Sequence, residues 1–166
     1  MRHIIGILLQ NESGALNRVA GLFSNRGYNI ESLSVAPTDD PTVSRITLVT
    51  TGSNQVIQQI VSQLNKLIDV VNVDDMTRGE HLERELVLVK LRVRADQKAA
   101  VERTVGRAGG RVLDPAPDSF IAEMTGNETE VNAFIHELAG QGELTEIVRS
   151  GALGLTRDAR TLRIVQ

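Results

Sequence analysis

The stretch IIGILLQNESGALNRVAGLFSNRGYNIESLSVA, residues 4–36, decides the fold class. Ile5, Ile7 and Leu9 alternate along it while Ile4 and Leu8 are apolar too, the pattern of a strand covered on both faces. After a polar turn, Leu16, Val19, Ala20 and Phe23 recur at helical spacing, and Gly27 stops that helix. A second strand is expected over 28–36, closed by the turn-favouring run Pro37-Thr38-Asp39-Asp40-Pro41. Outward from there, 43–51 reads as a third strand with Ile46 and Leu48 on one face. Ser53 is placed to cap a helix carrying Val56, Ile57, Ile60, Val61 and Leu64, and 68–73 completes the unit as a fourth strand. The order is βαββαβ.

Residues 77–84 are polar and without pattern, which predicts a linker, and the same order then begins again. Val87, Val89, Leu91 and Val93 alternate with charged residues, a half-buried strand. Asp96 is expected to cap a helix through Val101, Val105 and Ala108 that Gly109-Gly110 ends. Strands are predicted over 111–114 and 119–124. Asn127 and Glu130 stand at capping-box spacing before a helix carrying Val131, Phe134, Ile135 and Leu138, and 144–148 is a last strand. The predicted fold is α+β, two ferredoxin-like βαββαβ domains in tandem: residues 1–76, a linker at 77–84, and residues 85–166. Units this small bury only about 60 % of their chain's surface and leave sheet edges open. Edge-to-edge pairing answers both problems and predicts at least a dimer.

Composition narrows the function. The chain has 166 residues, with 18 Lys and Arg against 21 Asp and Glu, and no cysteine. A net charge of −3 with scattered basic residues leaves no electrostatic footprint for nucleic acid or an anionic membrane. The lack of cysteine removes disulfides and thiolate metal sites, and is compatible with a reducing cytosol. The apolar run 4–9 is too short for a signal-peptide core, and no stretch reaches the roughly 18 to 20 apolar residues that cross a bilayer. A soluble, unprocessed, cytoplasmic protein is expected. His3, His81 and His136 are dispersed, and HExxH, GxSxG and Walker A motifs are absent. The pairs Asp39-Asp40 and Asp74-Asp75 read as solvated turn residues.

Two places remain that suit a ligand. The turn Asn11-Glu12-Ser13-Gly14-Ala15-Leu16 lies between a strand and a helix, where free N–H groups and the helix dipole favour a carboxylate. Gly14 allows close approach, and the Asn11 amide offers both a donor and an acceptor. The plainer alternative is a connection in which Ser13 caps and Gly14 turns. The second place is Tyr28-Asn29-Ile30, where Asn29 interrupts a predicted strand; the plainer alternative is a residue at the start of the strand after Gly27. In one βαββαβ unit these two places lie at opposite ends of the first helix, so a small zwitterion would be shared between two copies.

Residues 11–47, NESGALNRVAGLFSNRGYNIESLSVAPTDDPTVSRIT, closely resemble the small regulatory subunits of acetolactate synthase, also called acetohydroxyacid synthase. The resemblance continues through LVKL at 88–91 and RSGALGLTR at 149–157. The N-E-[ST]-G-x-L turn is typical of the wider ACT family of amino-acid sensors, whereas GLFSxRGYNIESLxVAPTxD is much more specific and supports the subunit itself. The resemblance implies an N-terminal ACT domain that binds valine, a homodimer formed through the ACT domains, and a large catalytic partner. That partner would hold thiamine diphosphate, FAD and magnesium, with no cofactor in this chain, and would make 2-acetolactate in branched-chain amino-acid synthesis. Carried over by motif, Asn11, Gly14, Ala15 and Leu16 of one copy would meet Asn29 and Ile30 of the other around valine. Position 17 is Asn where many members have Ser. A free-standing ACT-type sensor of transcription or of another enzyme is the competing reading, though no helix-turn-helix segment supports DNA binding. A small acylphosphatase-like enzyme would need a phosphate loop that is not evident.

Overall fold

The computed structural model describes every residue except 158, 160 and 164–166. It divides into two units. One comprises Met1–Leu82 together with the chain from Ala152 onward, and the other is Glu83–Gly151.

The first unit contains β1 (Arg2–Gln10), α1 (Ala15–Asn25), β2 (Ile30–Pro37), β3 (Val43–Thr51), α2 (Asn54–Leu64) and β4 (Val70–Asp75). Its sheet order is β2-β3-β1-β4, with antiparallel neighbours throughout, the ferredoxin-like arrangement. The strand β1 is central because its residues from His3 to Leu9 are all buried. Ile5, Ile7 and Leu9 pack under the helices against Val19, Phe23, Ile57 and Ile60. Each such side chain contributes about 1.5–3 kcal/mol of burial. The buried stripe of α1 starts at Ala15, and Leu16, expected to be part of it, is 40 % exposed. Ser53 caps α2 as predicted, accepting from the Val56 N–H. The last strand begins two residues later than expected, and Ile68 lies before it at the surface.

The second unit repeats the order with β5 (His81–Arg92), α3 (Lys98–Arg107), β6 (Arg111–Asp114), β7 (Phe120–Gly126), α4 (Glu128–Ala139) and β8 (Glu143–Arg149). Its strands run β6-β7-β5-β8. Val87, Val89 and Leu91 meet Val101, Val105, Phe134 and Leu138 in its core. The capping box at Asn127 and Glu130 is complete: the Asn127 side chain accepts from the Glu130 N–H at 2.9 Å, and the Glu130 carboxylate accepts from the Asn127 N–H at 2.7 Å. The expected cap at Asp96 is not made. Its carboxylate pairs with Arg94 at 3.1 Å, and Gln97 takes the cap position without a side-chain bond.

Two boundaries differ from expectation. Most of the linker predicted at 77–84 is structured. A 3₁₀ turn covers Met76–Arg78, capped by the Asp75 carboxylate, and β5 already begins at His81. Its first residues alternate between half-buried and exposed positions filled mostly by charged side chains, so their strand period carries no apolar signal. The second domain was expected to run to 166, but the chain from Ala152 returns to the first unit. There the Ala152 N–H donates to Ser32 Oγ at 3.1 Å, and the Arg45 guanidinium donates to the Gly154 carbonyl at 2.9 Å. Ala152 joins Ile4, Val49 and Met76 on the sheet face away from the helices, leading into the short strand β9 (Leu153–Thr156). Gly154 allows this approach, because a Cβ there would lie 2.6 Å from Met76 Cε and 2.8 Å from Ile4 Cδ1. Residues 158, 160 and 164–166 of the expected domain lie outside the described residues.

Candidate functional site

The turn between β1 and α1 is held from below by backbone bonds and from the side by the β2–β3 hairpin. The Gln10 N–H donates to the Asp69 carbonyl at 2.8 Å and the Asn11 N–H to the Thr42 carbonyl at 2.7 Å. The Asn11 side-chain amide donates to the Pro41 carbonyl at 3.0 Å. The hairpin tip is itself fixed, since one Asp40 oxygen accepts from both the Thr42 N–H, at 2.9 Å, and its hydroxyl, at 2.6 Å. Those two bonds hold the Asp40 carboxyl below its ordinary pKa. The run Thr38-Asp39-Asp40-Pro41-Thr42 therefore positions Asn11, spends one of its amide donors and leaves its Oδ1 as an acceptor.

Gly14 occupies the N-cap of α1 with φ +84°, a left-handed conformation that favours glycine. No side chain caps this helix, so Ser13 does not play the capping role. The Ala15 N–H bonds the Glu12 carbonyl at 3.2 Å, and the Arg18 N–H bonds the Gly14 carbonyl at 3.0 Å. Between them, the N–H groups of Leu16 and Asn17 have no partner among the described residues. The first turn carries no acidic side chain. Two donors at the positive end of a helix dipole are thus open to an anion.

Above the turn lies Arg18. Its Nε and Nη2 both engage the carboxylate of Asp69, the second contact at 2.8 Å. Asp69 is only 3 % exposed. The fork holds the Asp69 carboxyl below its ordinary pKa, and pushes the guanidinium of Arg18 up. The remaining nitrogen, Nη1, leans over the turn: a Cβ built on Gly14 would lie 3.1 Å from it.

At the other end of α1, Gly27 reverses the chain at φ +70°. Asn29 is exposed and precedes β2 rather than interrupting it; its carbonyl accepts from the buried Thr50 hydroxyl at 2.6 Å. Ile30, half-buried, opens β2, which is an edge strand. The eleven residues of α1 separate the two places by about 16 Å. The fold therefore brings Asn11, Gly14 and Leu16 together and leaves Asn29 and Ile30 apart from them. Ala15 stands at the turn, but its side chain is buried and its N–H is engaged. Residues 11–14, with Leu16 and Asn17, form an open surface rather than a cavity.

Arg18 and Asp69 are the members that sequence reasoning passed over. Arg18 was legible as the residue one helical turn beyond Gly14. Asp69 was not, because it arrives from the loop before β4, 51 residues away in sequence. Elsewhere, His3 is buried with no hydrogen-bond partner for either ring nitrogen among the described residues, its Nδ1 lying 3.9 Å from the Asp75 carboxylate. Among the described residues no group of three His, Asp or Glu side chains is placed to hold a metal ion. No helix of the described residues is long and apolar enough to cross a membrane.

Known proteins with this architecture share the sequence as well. Residues 5–72 match the model of the AHAS small subunit-like ACT domain, and residues 84–158 that of the small subunit of acetolactate synthase. The acetolactate synthase isozyme 3 small subunit of Salmonella typhimurium is 45 % identical over 163 residues, covering 98 % of this chain and all of that one. The probable acetolactate synthase small subunit of Archaeoglobus fulgidus is 40 % identical over 95 % of this chain and 98 % of its own length. The crystal structure of the acetolactate synthase small subunit from Thermotoga maritima superimposes with a TM-score of 0.85 at 32 % identity, covering 96 % of this chain and 99 % of that one. Both halves of the sequence and the order of its strands lead to one conclusion: the chain belongs to the acetolactate synthase small-subunit family.

Proposed function

We propose that this chain is the non-catalytic regulatory subunit of acetolactate synthase, raising the activity of a separate large subunit and conferring feedback inhibition by valine. The large subunit would supply the thiamine diphosphate, FAD and magnesium chemistry that joins two pyruvates, or pyruvate and 2-oxobutyrate. The observation that carries the valine site is the glycine-capped start of α1, where the Leu16 and Asn17 N–H groups lie open beside Asn11. Valine's carboxylate sits on those N–H groups, its ammonium on the Asn11 Oδ1, and its isopropyl group against the exposed Leu16 side chain.

The surface is too open to hold so small a ligand alone, because small-molecule sites bury most of their ligand. A second copy completes it. Antiparallel pairing of two first units along the β2 edge brings Asn29 and Ile30 of each copy to the turn of the other. Such a site reports ligand to the catalytic subunit by favouring one of two subunit arrangements. Mixing an Asn11→Ala chain with an Asn29→Ala chain tests the sharing. In a verified heterodimer one site carries both lesions and the other carries neither, so calorimetry should recover about one tight valine site per dimer. No recovery would defeat the shared site.

A further inference from the structure

We propose that Arg18 is the fixed cation of the effector site, its free Nη1 donating to the carboxylate of a bound α-amino acid while Asp69 holds the guanidinium in place. This inference rests on the reading that the turn at 11–16 binds valine, and it adds a binding residue and a positioning residue to it.

The cap of α1 lacks a side chain. A serine or aspartate at an N-cap normally accepts from the second or third helical N–H. At Gly14 that side chain is missing, and those two donors, on Leu16 and Asn17, stay open. The point from which a side chain at Gly14 would grow is 3.1 Å from Arg18 Nη1. The two open backbone donors and the guanidinium nitrogen thus all lie next to the same glycine, whose lack of a side chain leaves room for a ligand carboxylate among them.

The orientation of Arg18 is imposed from the far side. A planar guanidinium bound through Nε and Nη2 to one carboxylate has no rotational freedom left, so the third nitrogen is aimed by the same contact. Asp69 is buried, and its backbone carbonyl is tied to the Gln10 N–H at 2.8 Å, so the carboxylate rests on the sheet that carries the turn. Lysine would not serve in the same way, because its single ammonium nitrogen has no planar fork to be fixed by one carboxylate while a separate nitrogen faces the turn. The Arg18 side chain is 46 % exposed, so the guanidinium lies at the surface where a ligand arrives. A purely structural ion pair would not need the guanidinium to face a glycine with a left-handed φ.

The test compares valine with valinamide, which keeps the ammonium and the isopropyl group and replaces the carboxylate by a neutral amide. Calorimetry on the whole chain is run for the wild type, Arg18→Met, Arg18→Gln and Asp69→Asn, with circular dichroism and thermal unfolding as the check on folding. The wild type should prefer valine to valinamide by tenfold or more. Arg18→Met and Arg18→Gln should lose most of that preference through weaker valine binding, with valinamide affinity nearly unchanged. Asp69→Asn, which keeps the guanidinium but loosens it, should lose part of the preference. Equal weakening of both ligands by folded Arg18 variants would show a merely structural pair and overturn the proposal. An undiminished preference would overturn it as well, while leaving the valine site standing. A wild type that binds neither ligand would overturn the valine site itself, and this assignment with it.

Discussion

Substituting Gly14 by aspartate places a carboxylate beside the open Leu16 and Asn17 N–H groups, where the effector's own carboxylate sits in the proposed site. Gly14 has φ +84°, and a left-handed conformation costs an L-residue roughly 1–2 kcal/mol. Against that, an acidic residue at the start of α1 gains about 0.3–1 kcal/mol from the dipole. An exposed pair with Arg18 adds about 0–1 kcal/mol. The fold is therefore expected to lose at most about 1.7 kcal/mol, a shift of no more than roughly 1 M in the urea midpoint at an m-value of about 2 kcal/mol/M. Valine binding should fall much further. The new carboxylate occupies the donors and repels the ligand's, so affinity is expected to drop more than tenfold, over about 1.4 kcal/mol. Gly14→Ala separates the causes. It imposes at least as much backbone strain and brings its Cβ 3.1 Å from Arg18 Nη1, but carries no charge. Calorimetry with valine on the three proteins, alongside urea unfolding, gives both quantities. If the aspartate variant binds valine as well as the wild type, Gly14 is not in the site. If the alanine and aspartate variants lose affinity equally, strain alone acts and the substituted-anion reasoning is wrong.

Other expectations concern the fold and its response to acid. Gly110→Ala would bring a Cβ within 2.5 Å of the Glu123 carbonyl oxygen, a contact with backbone that cannot swing away, and should cost about 1–3 kcal/mol in urea unfolding. Asn127→Ala removes the side-chain half of the α4 capping box and should cost about 1 kcal/mol by the same assay. Asp40 and Asp69 are both held below their ordinary value of 3.8 by hydrogen bonds made only in the folded chain. A depressed folded pKa gives stability that is present above the unfolded value and lost as pH falls through the folded one. Stability should therefore decline below about pH 4. Asp40→Asn, which can still accept both Thr42 bonds, should make that decline shallower in urea midpoints measured between pH 3 and pH 6.

The core strands and helices were legible because each is written in one period. The unbroken apolar run of β1 could only be a central strand, and the caps at Ser53 and Asn127 follow from side-chain chemistry within three residues. What was misread depends on partners distant in sequence. Asp96 has the right chemistry for a cap, but Arg94 claims its carboxylate. The alternation at the start of β5 is mostly polar, which on its own reads as a linker. Leu153 and Leu155 alternate too, yet nothing local says that Gly154 will lie against Met76 in the middle of the chain and Ile4 at its start. At the site, Gly14 and Asn11 stand out in the sequence because a turn must be made there. The sequence alone does not show that Pro41 and Thr42 hold Asn11, or that Asp69 holds Arg18. Leu16 was assigned to the helix core on its spacing; the structure leaves it at the surface, where an apolar ligand group would need it.

The most direct test of the account is reconstitution with the separately purified large subunit of acetolactate synthase, supplied with pyruvate, thiamine diphosphate, FAD and magnesium. The account predicts background turnover from this chain alone and a rise in large-subunit activity when the chain is added. It further predicts that valine removes that rise with the wild-type chain, whereas with the Gly14→Asp chain the activation persists and valine has little effect. Turnover by the chain alone, no change in the large subunit's rate, or equal inhibition by valine with both chains would contradict it.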